Sequence, residues 1–361
     1  MNDELFDLPQ FTLPQTEKNK ILFSALSKLT EHHYNKCLAY RNIIDALYPQ
    51  WRSATCLEAI PAMPVGLFKS KSLSSITLEE TVAMVTSSGT SGQSVSRVPI
   101  DRETAALQSQ ALFSALEPVL GKKRSPMIVI DNPAVLSDRK QLNARAAGVI
   151  GMMRFGRSHI FALDEEMKLD LEGLKKFVHK HSGEPMLLFG FTFMAWAYFL
   201  EALRGRGLDL SNSILIHSGG WKTMAEHQVT NTIFKEAFHT ETGLSNIYNF
   251  YGMGEQIGTI FLEGNDGLLY PPNFADVIIR DPLTHKELPA GETGLIQVLS
   301  TIPHSYPGHS LLTEDLGKIH HIDQLDSCGR MGKAFTISGR VPKAEIRGCS
   351  DTHAWESGNA R

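Results

Sequence analysis

The sequence predicts an α/β fold in which a doubly wound parallel sheet is followed by a β-rich part. In the middle of the chain, short apolar runs at residues 127–131, 186–191 and 213–217 alternate with helical patterns. Such runs are typical of parallel strands that are buried on both faces. From about Gly264 onward, short strands are joined by turns rich in Pro and Gly, and this pattern indicates the β-rich part.

Helices are predicted on both sides of these strands. The chain opens with one or two amphipathic helices over residues 17–47, where leucines recur at helical spacing. Prolines at 61 and 64 then favour extended chain. Asp101 is a plausible N-cap for a helix that ends near Pro118. Further strands and helices are predicted, in chain order, at residues 159–163, 170–179, 195–203 and 224–238.

The composition indicates a globular protein with a small-molecule or protein partner. The chain has 361 residues, 42% of them hydrophobic, and a net charge of −4 with scattered Lys and Arg. This charge gives no electrostatic footprint for nucleic acid or anionic lipid. The four widely spaced cysteines form no CxxC pair, so we expect a reducing cytoplasm. We expect no export signal in the acidic N-terminus and no membrane span, because the most apolar run, residues 185–200, is shorter than the roughly 20 residues required.

A run of small residues after an apolar strand is the first candidate site. The strand is predicted to end near Val85, and seven residues follow it: Thr86, Ser87, Ser88, Gly89, Thr90, Ser91 and Gly92. The glycines allow successive N–H groups to converge on an anion, and the hydroxyls add donors without bulk. The run therefore predicts a phosphate cradle, with a Ser/Gly linker as the alternative. It is not a Walker loop, since no lysine follows the last glycine.

Three later motifs carry polar side chains suited to a nucleotide. In YNFYGMGEQIG, a strand ends at Tyr251 and a turn presents Glu255, a candidate magnesium ligand. The tyrosine can stack on a purine, although a plain surface turn is the alternative. In LLTEDLGKI, Asp315 can face the hydroxyls of a ribose. In the last motif, Arg340 follows Gly339 and can direct a guanidinium toward phosphate or ribose.

Taken together and in this order, these motifs resemble those of the adenylate-forming superfamily, with GETGLIQV as a further matching segment. Within it, the chain resembles the acyl-protein synthetase branch of the LuxE type, which is similar to phenylacetate-CoA ligases. The segments that carry this resemblance are PAMPVGLFKS, SGGWK, YGMGEQ and EIRGCS. The resemblance covers residues 6–350.

The resemblance implies a domain organisation. The large N-terminal domain of an adenylate-forming enzyme would fill residues 1–340, with a helical part at 1–80, an α/β core at 81–263 and a β-rich part at 264–340. Residues 341–361 would form a short tail that carries Cys349. Acyl-CoA ligases have a C-terminal lid domain of about a hundred residues at this position. We therefore expect no lid and no counterpart of its catalytic lysine.

The resemblance also implies roles for individual residues. Residues 87–92 would bind the phosphates of ATP, Tyr251 would border the adenine, and Glu255 would hold Mg²⁺. Thr86 and Gly252 would also belong to the nucleotide site. Asp315 would bind the ribose, and Arg340 would contact the nucleotide. Cys349 matches the cysteine that such synthetases acylate, and Arg347 would help to lower the pKa of its thiol. As a departure from the superfamily pattern, Gly254 stands where Thr or Ser usually precedes the acidic residue.

The expected activity is ATP- and Mg²⁺-dependent conversion of a fatty or other carboxylic acid to an acyl-adenylate. Cys349, Glu255 and Arg340 would be the catalytic residues, and the acyl group would pass through a thioester on Cys349 to a partner acyl reductase that makes an aldehyde. A ligase that uses coenzyme A or a carrier protein is one alternative. A catalytically silent nucleotide-binding or acyl-binding scaffold is another. Aromatic residues between 189 and 196, with His217, can line an acyl channel, but such a stripe is more often core.

Overall fold

A computed structural model describes residues 4–86, 95–137, 141–221 and 229–341 of the chain. Contacts divide the chain into two compact units. The first contains residues 4–85, 96–124 and 248–341, and the second contains residues 86, 95, 125–137, 141–221 and 229–247. The domain bounds expected from the sequence stay a prediction.

The helices of the described residues are, in chain order, α1 Glu4–Asp7, α2 Gln15–Lys36, α3 Leu38–Leu47, α4 Leu67–Ser70, α5 Arg102–Leu120, α6 Ala144–Met153, α7 Leu171–Lys180, α8 Thr192–Met194, α9 Glu201–Leu203 and α10 Asn231–Thr242. A π-helical segment, Ala195–Leu200, connects α8 to α9. Among the described residues, no helix is both long enough and apolar enough to cross a membrane.

The strands are β1 Met63–Pro64, β2 Ala83–Thr86, β3 Arg97–Ile100, β4 Ser125–Ile130, β5 Gln141–Asn143, β6 Gly156–Phe161, β7 Met186–Phe191, β8 Ser213–Ser218, β9 Asn246–Tyr251, β10 Phe261–Glu263, β11 Leu269–Tyr270, β12 Ala275–Arg280, β13 Thr293–Ser300, β14 Ser310–Ile322 and β15 Lys333–Arg340.

Residues 17–47 form two helices, α2 and α3, which is one of the two arrangements that the sequence predicts. The chain leaves helical geometry at Cys37, where φ is −116° and ψ is 102°, and α3 follows at once. The leucine face of α2 is buried through Leu22, Leu26 and Leu29. Burial of this apolar face supplies most of the stability of such a helix.

The cap predicted at Asp101 is confirmed, but the predicted end of helix α5 is wrong. The Asp101 carboxylate accepts a hydrogen bond from the Thr104 N–H at 2.7 Å. The helix continues past Pro118 and ends at Leu120. A proline so near the end removes only one helical hydrogen bond, and Gly121 closes the helix by donating its N–H to the Glu117 carbonyl at 2.8 Å.

The first unit is built on an antiparallel sheet with the strand order β12-β13-β14-β15-β11-β10-β9. The short strand β1 pairs with β14 in parallel. This sheet confirms the β-rich part that the sequence predicts after Gly264. Its long strands β14 and β15 carry Asp315 and Arg340, which are register partners.

The second unit is built on a parallel sheet with the order β8-β7-β4-β6. All six residues of β7 are buried, as the continuous apolar run predicts. The strand predicted at 159–163 is observed at Gly156–Phe161. The helix predicted at 224–238 overlaps α10, which Thr230 caps by accepting from the Ile233 N–H. Residues 224–228 of that prediction lie outside the described residues. Together the two sheets confirm the predicted fold class.

Candidate active site

The structure brings three of the predicted site residues together in the first unit. Tyr251 ends β9, Asp315 lies in β14, and Arg340 ends β15. The Tyr251 hydroxyl donates to Oδ2 of Asp315 at 2.6 Å, and Nε of Arg340 donates to Oδ1 at 3.0 Å. The two oxygens of Asp315 are therefore each held by a different strand. We call this group the Asp315 cluster.

The backbone around Asp315 is also fixed. Its N–H donates to the Thr313 hydroxyl at 3.1 Å, and that hydroxyl donates to the Ile296 carbonyl of β13 at 2.7 Å. The pairing of β14 with β15 shifts register between Leu316 and Gly317. A Cβ on Gly317 would lie 2.5 Å from the Thr336 carbonyl oxygen, so only glycine fits this close approach. The shift lets Asp315 pair directly with the last residue of β15.

Tyr251 is held as a neutral donor. Its ring packs against Phe261 and Phe335, with centroids 5.8 and 6.5 Å away. Burial, and then the neighbouring Asp315 carboxylate, raise the pKa of the Tyr251 phenol well above its usual value. Arg340 also lies 3.4 Å from Oε2 of Glu314. Two adjacent carboxylates thus share one guanidinium.

The cluster fits the polar groups of a nucleotide. An ionised carboxylate has about four acceptor positions, and the observed hydrogen bonds from Tyr251 and Arg340 use two of those on Asp315. The remaining positions suit the two hydroxyls of a ribose, and the guanidinium suits a phosphate oxygen. The chemistry of this set therefore agrees with the expected use of ATP.

Glu255 lies on a separate turn of the first unit. Glu255 is buried in the 3₁₀ turn Gly254–Gln256, with 5% of the residue exposed. The side chain of Gln256 anchors this turn, because its Nε2 donates to the carbonyls of Gly308 at 2.7 Å and Val298 at 3.3 Å. These supporting residues were missed in the sequence, because nothing in the local pattern connects residue 256 to residue 308.

A single buried carboxylate is compatible with magnesium bound to a polyphosphate, which recruits only one or two protein carboxylates. Within the described ranges, no group of three or more His, Cys, Asp and Glu side chains is arranged to hold a metal ion by itself. Glu255 would therefore act as one protein ligand beside the phosphate oxygens.

Several predicted residues lie outside the described residues: Ser87, Ser88, Gly89, Thr90, Ser91, Gly92 and Cys349. Thr86, the first residue of the predicted cradle, ends β2 and is half-buried. Gly252 follows β9 directly and is also half-buried.

Two of the predicted channel residues, Trp196 and His217, pack on other aromatic side chains of the second unit. Trp196 contacts Trp221 and Phe234, with ring centroids 5.7 and 6.0 Å apart, and His217 stacks on Phe234 at 4.5 Å. Nδ1 of His217 lies 2.9 Å from the Thr192 hydroxyl, and burial lowers the pKa of this histidine to about 3. These contacts describe an aromatic core with a neutral histidine at the carboxyl end of β8.

The fold matches the N-terminal domains of adenylate-forming ligases. Two crystal structures of 2-hydroxyisobutyryl-CoA ligase, both 15% identical to this chain, match 91% of it. One is in the postadenylation state in complex with 2-HIB-AMP and has a TM-score of 0.71 over 69% of its own chain. The other is an open conformation in complex with 2-HIB-AMP and CoA and has a TM-score of 0.70 over 76% of its own chain. The architecture is therefore that of the large N-terminal domain of these ligases.

Comparison of the sequence identifies the family to which the chain belongs. Residues 1–355 match the sequence model of the family described as acyl-protein synthetase, LuxE. Two similar curated proteins are the long-chain-fatty-acid--luciferin-component ligases of Aliivibrio fischeri and Vibrio harveyi. The first is 24% identical over 361 residues, which cover 97% of this chain and 93% of the relative. The second is 25% identical over 370 residues, which cover 96% of this chain and 92% of the relative. The chain belongs to the LuxE-type acyl-protein synthetases and is an ATP-dependent ligase, as the sequence resemblance implies.

Proposed function

We propose that the enzyme activates a long-chain fatty acid, or a related carboxylic acid, as an acyl-adenylate and then transfers the acyl group to the thiol of Cys349. The observation that carries the proposal is the Asp315 cluster, in which strand pairing unites three separately predicted nucleotide-binding residues. Family membership and the ligase fold support adenylate formation. The names of the curated relatives support a long-chain fatty acid as substrate.

In the first half-reaction, a carboxylate oxygen of the acid attacks the α-phosphorus of ATP. The bond from that phosphorus to the bridging oxygen of the β-phosphate breaks, and pyrophosphate leaves. Asp315 would bind the ribose, and Arg340 would stabilise negative charge on the phosphate. Glu255 would hold magnesium, which would neutralise charge on the polyphosphate when bound. Residues 86–92 would donate backbone and hydroxyl hydrogen bonds to the same phosphates.

In the second half-reaction, the Cys349 thiolate attacks the acyl carbonyl carbon, AMP leaves, and a thioester forms. The support for this step is the match of EIRGCS to the family and the cationic Arg347 two residues before the cysteine. We propose that the thioester passes its acyl group to a partner acyl reductase in the cytoplasm. The alternative acceptor is coenzyme A or a carrier protein.

Intact-mass measurement tests the proposal directly. The purified enzyme is incubated with ATP, Mg²⁺ and a panel of fatty acids, in parallel with the variants Cys349→Ser and Cys56→Ser. Cys56 is a matched control because it is a free, exposed cysteine. We expect a hydroxylamine-labile acyl adduct on the wild type and on Cys56→Ser but not on Cys349→Ser.

The other outcomes discriminate among the alternatives. An adduct that persists in Cys349→Ser would remove Cys349 from the mechanism. Pyrophosphate release that requires added coenzyme A or carrier protein, without any adduct, would favour the ligase with an external thiol. Nucleotide binding without pyrophosphate release would favour the silent scaffold.

The role of Glu255 has a separate test in ATP–pyrophosphate exchange. Glu255→Gln keeps the size of the side chain and removes the charge that a magnesium ligand needs. We expect exchange to be abolished while the far-ultraviolet circular dichroism spectrum stays unchanged. Normal exchange in this variant would exclude Glu255 as the metal ligand.

A further inference from the structure

The strand that carries Asp315 is irregular where it pairs with β13. The pairs on either side of the irregularity are Leu295 with Leu316 and Gln297 with Leu312. Three residues of β14, 313–315, therefore lie opposite a single residue of β13, Ile296. Such a bulge bends the strand and turns its side chains in a new direction. We call residues 313–315 the β14 bulge.

On its other side, β14 changes its neighbour at the same place. Leu312 pairs with β1, and its carbonyl accepts a hydrogen bond from the Val65 N–H at 2.9 Å. Asp315 pairs with β15, and the carbonyl of Glu314 accepts from the Val341 N–H at 3.0 Å. The β14 bulge therefore lies at the junction where the pairing passes from β1 to β15.

The side chain of Thr313 closes the bulge on the β13 side. Thr313 is buried, with 4% of the residue exposed. Its hydroxyl donates to the Ile296 carbonyl at 2.7 Å and accepts from the Asp315 N–H at 3.1 Å. One hydroxyl thus connects the single residue of β13 to the last residue of the β14 bulge. The main chain of Asp315 is thereby held in place relative to β13.

The hydroxyl of Thr313, rather than the shape of its side chain, makes this connection. Valine is also β-branched and also favours strands, but it would lose both hydrogen bonds. The Asp315 N–H would then lose its acceptor, which costs free energy and lets the bulge change its geometry. Since Tyr251 and Arg340 already occupy part of the Asp315 carboxylate, a small shift of its main chain redirects the acceptor positions that a ligand can use.

We propose that Thr313 is a positioning residue for ribose recognition, whose hydroxyl fixes the β14 bulge so that the Asp315 carboxylate is directed at both hydroxyls of the ATP ribose. The inference rests on the ribose-binding role proposed above for Asp315. The ligand class is a ribonucleoside triphosphate, because a sugar without these hydroxyls offers no donors to the carboxylate. Thr313 therefore contributes to the preference for ATP over its deoxy analogues.

The test measures the dissociation constants of ATP and of 2′,3′-dideoxyATP, each with Mg²⁺, by isothermal titration calorimetry. The ratio of the two constants reports on the recognition of the ribose hydroxyls. Thr313→Val removes the hydroxyl of the positioning residue, and Thr313→Ser keeps it. Asp315→Asn reports on the underlying ribose-binding role.

Thr242→Val is the matched control. Thr242 is 3% exposed, and its hydroxyl donates to the Phe238 carbonyl at 2.7 Å. The same hydroxyl accepts from the N–H of Leu244, two residues further on, at 3.4 Å. Thr242 therefore has the hydrogen-bond pattern of Thr313, but it ends helix α10 in the second unit.

For the wild type we expect dideoxyATP to bind about a hundredfold more weakly than ATP, since two hydrogen bonds to a charged group are lost. In Thr313→Val this ratio should fall to about tenfold, because the carboxylate is no longer directed at both hydroxyls. Thr313→Ser and Thr242→Val should keep the wild-type ratio. Both threonine-to-valine variants should have a lower melting temperature, so a role of Thr313 in stability alone would leave its ratio at the wild-type value.

The failures of the two proposals can be distinguished. An unchanged ratio in Thr313→Val beside a reduced ratio in Asp315→Asn would overturn the role of Thr313 alone. An unchanged ratio in both variants would overturn the ribose-binding role of Asp315 as well. Thr313→Ala also lacks the hydroxyl and gives the same comparison should Thr313→Val not fold. Pyrophosphate exchange, measured separately, reports on adenylate formation, so loss of that activity is not confused with loss of ribose recognition.

Discussion

The Tyr251 hydroxyl donates to Asp315 at 2.6 Å across 64 residues of sequence, and Arg340 holds the other oxygen of the same carboxylate. The two donors come from β9 and β15, which lie on the same side of β14 in the sheet order, β15 next to it and β9 three strands further on. A carboxylate that is held at both oxygens loses little further side-chain entropy when a ligand binds. The pairing therefore prepares Asp315 to receive the two hydroxyls of a ribose.

Removing the Tyr251 hydroxyl should weaken ATP binding without unfolding the chain. Tyr251→Phe keeps the ring contacts with Phe261 and Phe335 but loses the hydrogen bond that orients Asp315. We expect the KM for ATP in pyrophosphate exchange to rise about tenfold, since a hydrogen bond to a charged group contributes about 1.5–3 kcal/mol. Tyr248→Phe, on the same strand, is the control. An unchanged KM in Tyr251→Phe would place the nucleotide elsewhere.

The two adjacent carboxylates of β14 should differ in importance. Asp315 receives short hydrogen bonds from two side chains, whereas Glu314 lies 3.4 Å from Arg340 and is 30% exposed. We expect Asp315→Asn to raise the KM for ATP at least tenfold and Glu314→Gln to change it less than twofold, because exposed ion pairs contribute about 0–1 kcal/mol. ATP–pyrophosphate exchange at varied ATP concentrations measures the KM of both variants. Equal losses would show that either carboxylate can bind the ribose.

The sequence identifies the individual motifs but not the geometry that unites them. Tyr251, Asp315 and Arg340 each follow or interrupt a recognisable strand, so their residue types and order can be read directly. Their meeting depends on strand order and on the register shift at Gly317. Both are set by pairing between strands that are far apart in the sequence, and the local residue pattern does not show which strands pair.

The support of the Glu255 turn is hidden in the sequence for the same reason. Gln256 bonds to Gly308 across 52 residues, and His33 contacts Pro303 across 270. Neither pair belongs to a motif. The helix end at Leu120 was missed for a different reason, since the cost of Pro118 depends on how many helical bonds follow it.

Two buried histidines should make the fold sensitive to acid. His33 and His309 are completely buried and stack with centroids 5.0 Å apart. Burial lowers the pKa of His33 well below its usual value of 6.5 and that of His309 to about 3. Both rings are neutral in the folded chain, whereas each takes up a proton in the unfolded chain below about pH 6.5. At a pH between the folded-state and unfolded-state pKa of each histidine, the unfolded chain therefore binds more protons than the folded chain. The free energy of unfolding falls as the pH is lowered through this range.

Urea unfolding at pH 7.5 and 5.5 measures this effect. Each histidine should contribute about 1.4 kcal/mol to the loss of unfolding free energy between these two pH values. His309→Gln keeps a polar side chain that cannot titrate, so the pH-dependent loss should shrink by about that amount. His285→Gln provides the control, because this histidine is exposed on a turn. Identical losses in the wild type and His309→Gln would contradict this prediction, because they would mean that His309 has the same protonation state in the folded and the unfolded chain.

Gly308 should be the most sensitive small residue of the loop between β13 and β14, residues 301–309. Its Cβ position is blocked at 2.3 Å by the Tyr306 ring and at 2.7 Å by the Glu255 carbonyl oxygen. Hydrogen bonds at Ser305 and Pro303 hold the loop on both sides. Gly308→Ala must therefore displace the loop or the turn, at a cost of about 1–3 kcal/mol in unfolding free energy.

The control for this change is Gly220→Ala, since a Cβ there would meet no atom of the described residues within 4 Å. It should alter the unfolding free energy by less than about 0.5 kcal/mol. Because the displaced turn carries Glu255, Gly308→Ala should also raise the Mg²⁺ concentration needed for pyrophosphate exchange. A variant that is destabilised but keeps the wild-type Mg²⁺ dependence would separate the packing of the loop from the geometry of the metal site.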